Sequence, residues 1–144
     1  MSNVKPIPDG YRTVTPYLVV PGVGKLIDFL RQAFDAVETG RHTRPDGTVQ
    51  HAGVRIGDSM VMMGEPENPS KAMPATICLY LEDADEAYRR AIEAGATSIR
   101  EPSTQFYGDR TGGVLDACGN QWWVCTHVED VSQAELERRA AAHG

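Results

Sequence analysis

The stretch TICLYLEDADEAYRRAIEAGA, residues 76–96, decides the fold, because a strand pattern and a helix pattern stand back to back in it. In TICLYL, residues 76–81, Ile77, Leu79 and Leu81 alternate with Thr76, Cys78 and Tyr80, which is the period of a strand with two unlike faces. A helix follows from about residue 84 to 94. Asp83 and Glu86 have capping-box spacing at its start, and Gly95 supplies its stop. Sliding the chain by 61 residues places Thr15 on Thr76, Val20 on Leu81 and Leu30 on Ala91. TVTPYLVV, residues 13–20, is therefore the matching strand. Pro21-Gly22 turns the chain, and Leu26, Ile27, Leu30, Ala33 and Phe34 then share one helical face.

Three extended segments follow each helix. In the first half they span 36–43, 48–56 and 59–63, with PDG (45–47) and GDS (57–59) as turns. In the second half they lie near 97–101, 111–116 and 121–127, with GDR (108–110) and CGN (118–120) between them. The order strand–helix–strand–strand–strand thus occurs twice, over 13–65 and 75–128, within one domain spanning 1–144. PENPSKAMPA, residues 66–75, is a polar, Pro-rich linker. Near the end Ser132 and Glu135 form a further capping box, predicting a short helix over 131–141 whose weak apolar face suits the outside or a partner chain.

The composition narrows the partners. Fourteen Lys and Arg against 20 Asp and Glu leave a net charge of -6 over 144 residues, the wrong sign for a protein that grips a phosphate backbone. No apolar run approaches the ~20 residues of a membrane span, and MSNVKPIPDG lacks the basic-then-apolar pattern of a secretion signal. Cys78, Cys118 and Cys125 are odd in number and scattered, which argues against a disulfide framework. These features describe a cytoplasmic protein acting on something small.

Each strand pattern has an aliphatic face and a mixed one. Leu18 and Val20 oppose Thr15, Tyr17 and Val19, while Ala52, Val54 and Ile56 oppose His51, Gly53 and Arg55. The aliphatic face suits helix packing. The mixed face, with Tyr17, Met62, Tyr80 and Trp123, has the make-up of a cavity wall, since exposing so many large apolar groups on one sheet is unusual.

With this doubled pattern, the chain resembles the vicinal oxygen chelate superfamily, which includes glyoxalase I, bleomycin-resistance proteins and extradiol dioxygenases. PDGYRTVTPYLVV (8–20), QHAGVRIGDSMVMM (50–63) and YGDRTGGVLDACGNQWWVCTHVEDVS (107–132) resemble its PhnB-like branch, and the likeness runs from residue 7 to about 139. The resemblance implies an α+β fold in which two βαβββ modules form a cupped, barrel-like mixed sheet, and a homodimer. The superfamily's metal enzymes take ligands from the first, fourth, fifth and eighth strands. Carried over by position, these fall on Thr15, within residues 60–63, on Thr76 and on Trp123. Hydroxyl, thioether and indole are poor donors for hard or borderline cations. The expectation is no metal ligand and no cofactor, with Glu65 the nearest carboxylate if the fourth-strand register is shifted.

Among the four histidines, His51 on the mixed face is the candidate general acid/base, because imidazole titrates near neutrality. An imidazole satisfied at a strand end is the plainer alternative. His42, between Arg41 and Arg44, reads as surface, and His143 lies in the tail. Cys125 and His127 share a face, although a buried free Cys is usually packing. Tyr107-Gly108-Asp109-Arg110 is either a lid in which Arg110 forks onto a ligand carboxylate, or an Asp109–Arg110 pair that pins a connection. Of the tandem tryptophans, Trp123 faces the cavity and Trp122 packs under the helices. VPGVGK lacks the phosphate-loop pattern, and the acidic run at residues 82–86 serves helix capping. The expected ligand is an aromatic or amphipathic small molecule contacted by Tyr17, His51, Met62, Tyr80, Tyr107, Arg110 and Trp123. An antibiotic-resistance type of binding is the first reading, a glyoxalase-related lyase or isomerase using His51 or a relocated divalent metal the second, and a scaffold with a vestigial pocket the third.

Overall fold

The computed structural model describes residues 4–143. The chain resolves into two compact units, residues 1–75 and 76–144. In the first, β1 (Tyr17–Val19) leads to α1 (Val23–Phe34), then β2 (Val37–Thr43), β3 (Val49–Ile56) and β4 (Ser59–Gly64). In the second, β5 (Thr76–Tyr80) leads to α2 (Ala84–Glu93), then β6 (Thr97–Thr104), β7 (Asp109–Leu115), β8 (Gln121–His127) and the terminal α3 (Gln133–His143). Each unit holds one mixed four-stranded sheet, ordered β1-β4-β3-β2 and β5-β8-β7-β6. β1 and β5 run parallel to their neighbours, and the other pairs are antiparallel. This is the α+β arrangement of two βαβββ modules, with each sheet open rather than closed on itself.

The register bears out the internal repeat. Tyr17 pairs with Met62 in the first sheet, and Cys78 pairs with Trp123 in the second, each partner displaced by the same 61 residues. The helices sit where the periodicity puts them. Leu26, Ile27, Leu30, Ala33 and Phe34 are all buried, and α1 packs on β3. On α2 the buried residues are Ala84, Ala87 and Ala91, so the bulk beneath that helix comes from the sheet, where Trp122 is fully buried. Asp83 caps α2 by accepting from the Glu86 N–H at 3.1 Å, and Ser132 Oγ accepts from the Glu135 N–H at 3.2 Å.

Three boundaries differ from the expected ones. β1 is only three residues long rather than spanning 13–20. Pro16 has no N–H to give a ladder, and Thr15 turns its hydroxyl to the Arg12 carbonyl at 3.3 Å. β6 runs on to Thr104 through Pro102, which an edge strand tolerates. Consequently the turn before β7 is not GDR. Gly108 closes it at φ 101, donating to Gln105 O at 3.1 Å, and Asp109 and Arg110 already belong to β7. A Cβ at Gly108 would stand 2.2 Å from Glu129 O, so this tight turn needs glycine on two counts.

Candidate functional site

In the first unit β1, β3 and β4 place their mixed faces around a hollow of about 640 Å³. Tyr17 and Val19 come from β1, His51 from β3, and Arg44, Glu65 and Glu67 from the segments that follow β2 and β4. The Tyr17 hydroxyl lies 3.4 Å from His51 Nδ1, and the two rings are tilted at a centroid separation of 5.7 Å. Tyr17 is 47% exposed although it is a large aromatic on a sheet face. Its close approach depends on Gly64, where a Cβ would lie 2.8 Å from the Tyr17 oxygen and 2.3 Å from Gln50 O.

The charged groups of this hollow are partly committed to the backbone. Glu65, the nearest carboxylate to the fourth-strand ligand position, accepts from the Gly22 N–H at 2.9 Å and from the Val49 N–H at 2.6 Å. It therefore takes over the start of α1, where Gly22 brings no side chain. Arg44 donates to Glu65 O at 2.9 Å and to Thr48 Oγ1 at 3.2 Å. Within residues 60–63, Met60 and Met63 are buried in the core, and Met62 is the half-buried methionine beside Tyr17.

The second unit gathers a different set. Trp123 lies over Gly113, where a Cβ would meet its ring at 2.7 Å, and the Arg100 guanidinium stands 5.0 Å from the ring centroid. Arg100 also donates to Thr111 Oγ1. Tyr80, 66% exposed, donates to Asp109 Oδ2 at 2.7 Å, and this bond raises its pKa to about 12. Asp109 Oδ1 faces His127 Nδ1 at 2.8 Å, and His127 Nε2 faces Asp130 Oδ1 at 2.7 Å. Carboxylates only accept, so a ring bonded to one on each nitrogen is held as imidazolium. His127 is accordingly raised, first by Asp109, and Asp109 is lowered, first by Tyr80 and then by His127.

One of the two readings of the 107–110 stretch is corrected here. Arg110 does not pair with Asp109. Its guanidinium forks onto Asp85 at 2.7 and 3.0 Å, and that bond holds Asp85 below its ordinary range. Tyr107 stands edge-on to Phe106 at 5.4 Å. Cys125 is buried, in keeping with the packing reading: its Sγ reaches Trp123 O at 3.7 Å, and burial pushes its thiol up to about 11. The structure thus brings Tyr17, His51 and Met62 together in one unit and places Tyr80, Tyr107, Arg110 and Trp123 in the other.

Two details of the second unit had faint sequence signals. Arg100 shows itself only by lying opposite Gly113, a position a sequence cannot pair without register. Asp116 is a hub in the CGN turn region. It accepts from Cys118 N at 2.8 Å, Asn120 N at 3.0 Å, Asn120 Nδ2 at 2.9 Å and Trp122 Nε1 at 2.8 Å. The spacing DACGNQW from Asp116 to Trp122 was its available sign.

Carried over by position, the metal-ligand positions of the resembled enzymes fall on Thr15 just before β1, within residues 60–63 of β4, on Thr76 in β5 and on Trp123 in β8. Their donors do not fit a divalent cation. Among the described residues, no three of His, Cys, Asp and Glu are grouped to hold one. No described helix is long and apolar enough to cross a membrane.

Comparison with known proteins agrees with the fold. An uncharacterised protein of Mycobacterium bovis is 35% identical over 153 residues, covering 99% of this chain and 97% of its own. Two solved structures share the fold. TioX from Micromonospora sp. ML1 has a TM-score of 0.69 at 22% identity, covering 81% of this chain and 99% of that one. The fosfomycin resistance protein FosX from Mesorhizobium loti has a TM-score of 0.58 at 20% identity, with coverage of 80% and 90%. The sequence profile of one family matches residues 12–124. With that match over most of its length and a paired βαβββ module, the chain belongs to the Glyoxalase/Bleomycin resistance protein/Dioxygenase superfamily.

Proposed function

We propose that this chain is a small-molecule binding protein of the bleomycin-resistance type, in the PhnB-like branch of its superfamily. In this reading it holds an aromatic or amphipathic organic ligand and does so without the metal centre of the superfamily's enzymes. The observation that carries it is the hollow of about 640 Å³ in the first unit. That volume lies within the roughly 300–1,000 Å³ of small-molecule sites, and its wall joins apolar surface to a few polar fixers. Tyr17 and Val19 offer the apolar body a surface, while His51 and Arg44 offer hydrogen bonds to a polar or acidic group. In the second unit Arg100 already covers one face of Trp123 and Arg110 is engaged by Asp85. The reading therefore rests on Tyr17 and His51. The same proposal has the chain working in the cytoplasm as a homodimer, without nucleic-acid or membrane partners, in keeping with a net charge of -6. A self-protection role has a parallel in the fold neighbour that is a fosfomycin resistance protein.

A second reading, a lyase or isomerase of the glyoxalase type with His51 as general acid/base, is favoured by the Tyr17–His51 contact of 3.4 Å. Calorimetric titration of a tag-free chain, in chelator, against a panel of aromatic antibiotics and small thiol adducts tests both. Binding should saturate at one ligand per chain and weaken in His51→Ala and Tyr17→Phe. Unaltered affinity in both variants, or no saturable binding across the panel, overturns the first reading. Conversion of a bound compound that stops in His51→Ala selects the second.

A further inference from the structure

We propose that His42 and His51 form a two-imidazole chelate for a borderline divalent transition ion, at residues separate from the four ligand positions of the superfamily's enzymes. In the β2–β3 ladder these two residues are directly opposed. Cross-strand partners start with Cβ atoms about 5 Å apart on the same face of a sheet, and two imidazoles so placed can converge on one ion at the usual metal–nitrogen length of about 2.1 Å. Both side chains line the large hollow, and both also line a second one of about 280 Å³, so they stand where an ion can reach them.

The surroundings favour ligation. His42 is exposed and makes no hydrogen bond or ion pair among the described residues. His51 has its Nδ1 against the Tyr17 hydroxyl at 3.4 Å. With Nδ1–H donated to that oxygen, Nε2 keeps its lone pair for a metal, which is the arrangement that outer partners impose on ligating histidines. The neighbouring cations are engaged elsewhere: Arg41 is forked onto Glu38 at 2.7 and 3.2 Å, and Arg44 is bonded to Thr48 and Glu65 O. Glu67 adds negative charge to the rim of the large hollow. Two imidazoles leave the remaining positions to water. The site therefore selects Cu²⁺, then Ni²⁺ and Zn²⁺, over the oxygen-seeking Mg²⁺ and Ca²⁺.

The test is calorimetric titration of the tag-free full chain with nickel chloride, repeated with magnesium chloride. One saturable Ni²⁺ per chain is expected, with no Mg²⁺ heat. His42→Gln and His51→Gln should each weaken Ni²⁺ by roughly tenfold or more, since either removes the chelate, and Tyr17→Phe should weaken it less. His127→Gln should leave the affinity unchanged. Circular dichroism shows that the variants fold, and exposed His42 is the variant least able to disturb the sheet. Absence of saturable binding, equal affinity in the two His variants and the parent, or loss in His127→Gln instead, each overturns the proposal. Because the ligand panel is titrated in chelator, failure here leaves the small-molecule reading standing, and its failure leaves this one standing.

Discussion

In the first unit Tyr17 on β1 stands beside Met62 on β4, with Gly53 on the next strand; in the second, Cys78 on β5 stands beside Trp123 on β8, with Gly113 beyond. The backbone plan is shared, yet the space above it is used differently. Flexible Met62 leaves room next to the Tyr17–His51 pair, whereas the Trp123 ring lies flat on Gly113 and carries Arg100 on top. On the opposite face the exchange reverses. α1 presses Leu26, Ile27, Leu30 and Phe34 onto its sheet, while α2 presents only alanines and the sheet answers with Trp122. A duplicated module keeps its register and trades bulk between layers, because the interior must be filled to crystal-like density whichever side supplies the atoms.

The turns before the last strand of each module offer the strongest way to break that comparison. Asp116 serves four buried or half-buried donors, and its counterpart turn holds Asp58, which bonds Ser59 Oγ on the surface. Asp116→Ala should cost about 3 kcal/mol or more, since each stranded donor is worth ~1–3 kcal/mol. Asp58→Ala should stay within about 0.5 kcal/mol. Urea unfolding of both variants checks this, and equal losses would remove the asymmetry between the modules.

Next in size are the paired glycines. Gly113→Ala drives a methyl into the Trp123 ring at 2.7 Å and should cost roughly 1–3 kcal/mol, with a changed near-ultraviolet tryptophan signal. Gly53→Ala meets Thr39 Oγ1 at 3.0 Å and the Tyr11 hydroxyl at 3.4 Å, polar tips that can rotate away, and should cost less. A smaller effect belongs to the helix starts. Asp83→Ala removes the side-chain cap of α2 and should cost about 1 kcal/mol in the same unfolding experiment.

The smallest effect is a pH dependence in the second unit. His127 has its pKa raised by Asp109 and Asp130. Its contribution is complete below the unfolded value of about 6.5 and is lost as pH rises through the higher folded value. His127→Gln should therefore differ most from the parent near about pH 6 and converge with it in alkaline solution. Asp109 works the other way: its folded pKa is lowered, so its share is lost as acid passes below the ordinary aspartate range. Stability curves of parent and variant between these limits sharpen the contrast with the first unit.

Much of this was legible before any coordinates. The 61-residue offset, the helix faces and the burial of Trp122 follow from period and repeat alone. The loop reading at residues 107–110 failed because GDR has turn composition, while the length of an edge strand is set by its neighbour and not by its own residues. Of the two readings of Arg110, a fork for a ligand carboxylate or a pair with Asp109, the second joined it to its neighbour in the chain. Successive residues of a strand point to opposite faces, and Arg110 instead finds Asp85, at the start of α2. His42 is exposed, as its surface reading had it, and only the β2–β3 register shows that it stands opposite His51, distant in sequence.

What the sequence determined by itself is the doubled module, because alternation at period two and helical spacing are properties of consecutive residues. Only the tertiary structure decided which side chains meet across strands: Tyr17 with His51, Arg100 with Trp123, Asp109 with both Tyr80 and His127. Those contacts depend on register and on the exit of each turn, and a one-residue slip in either would exchange every partner for another.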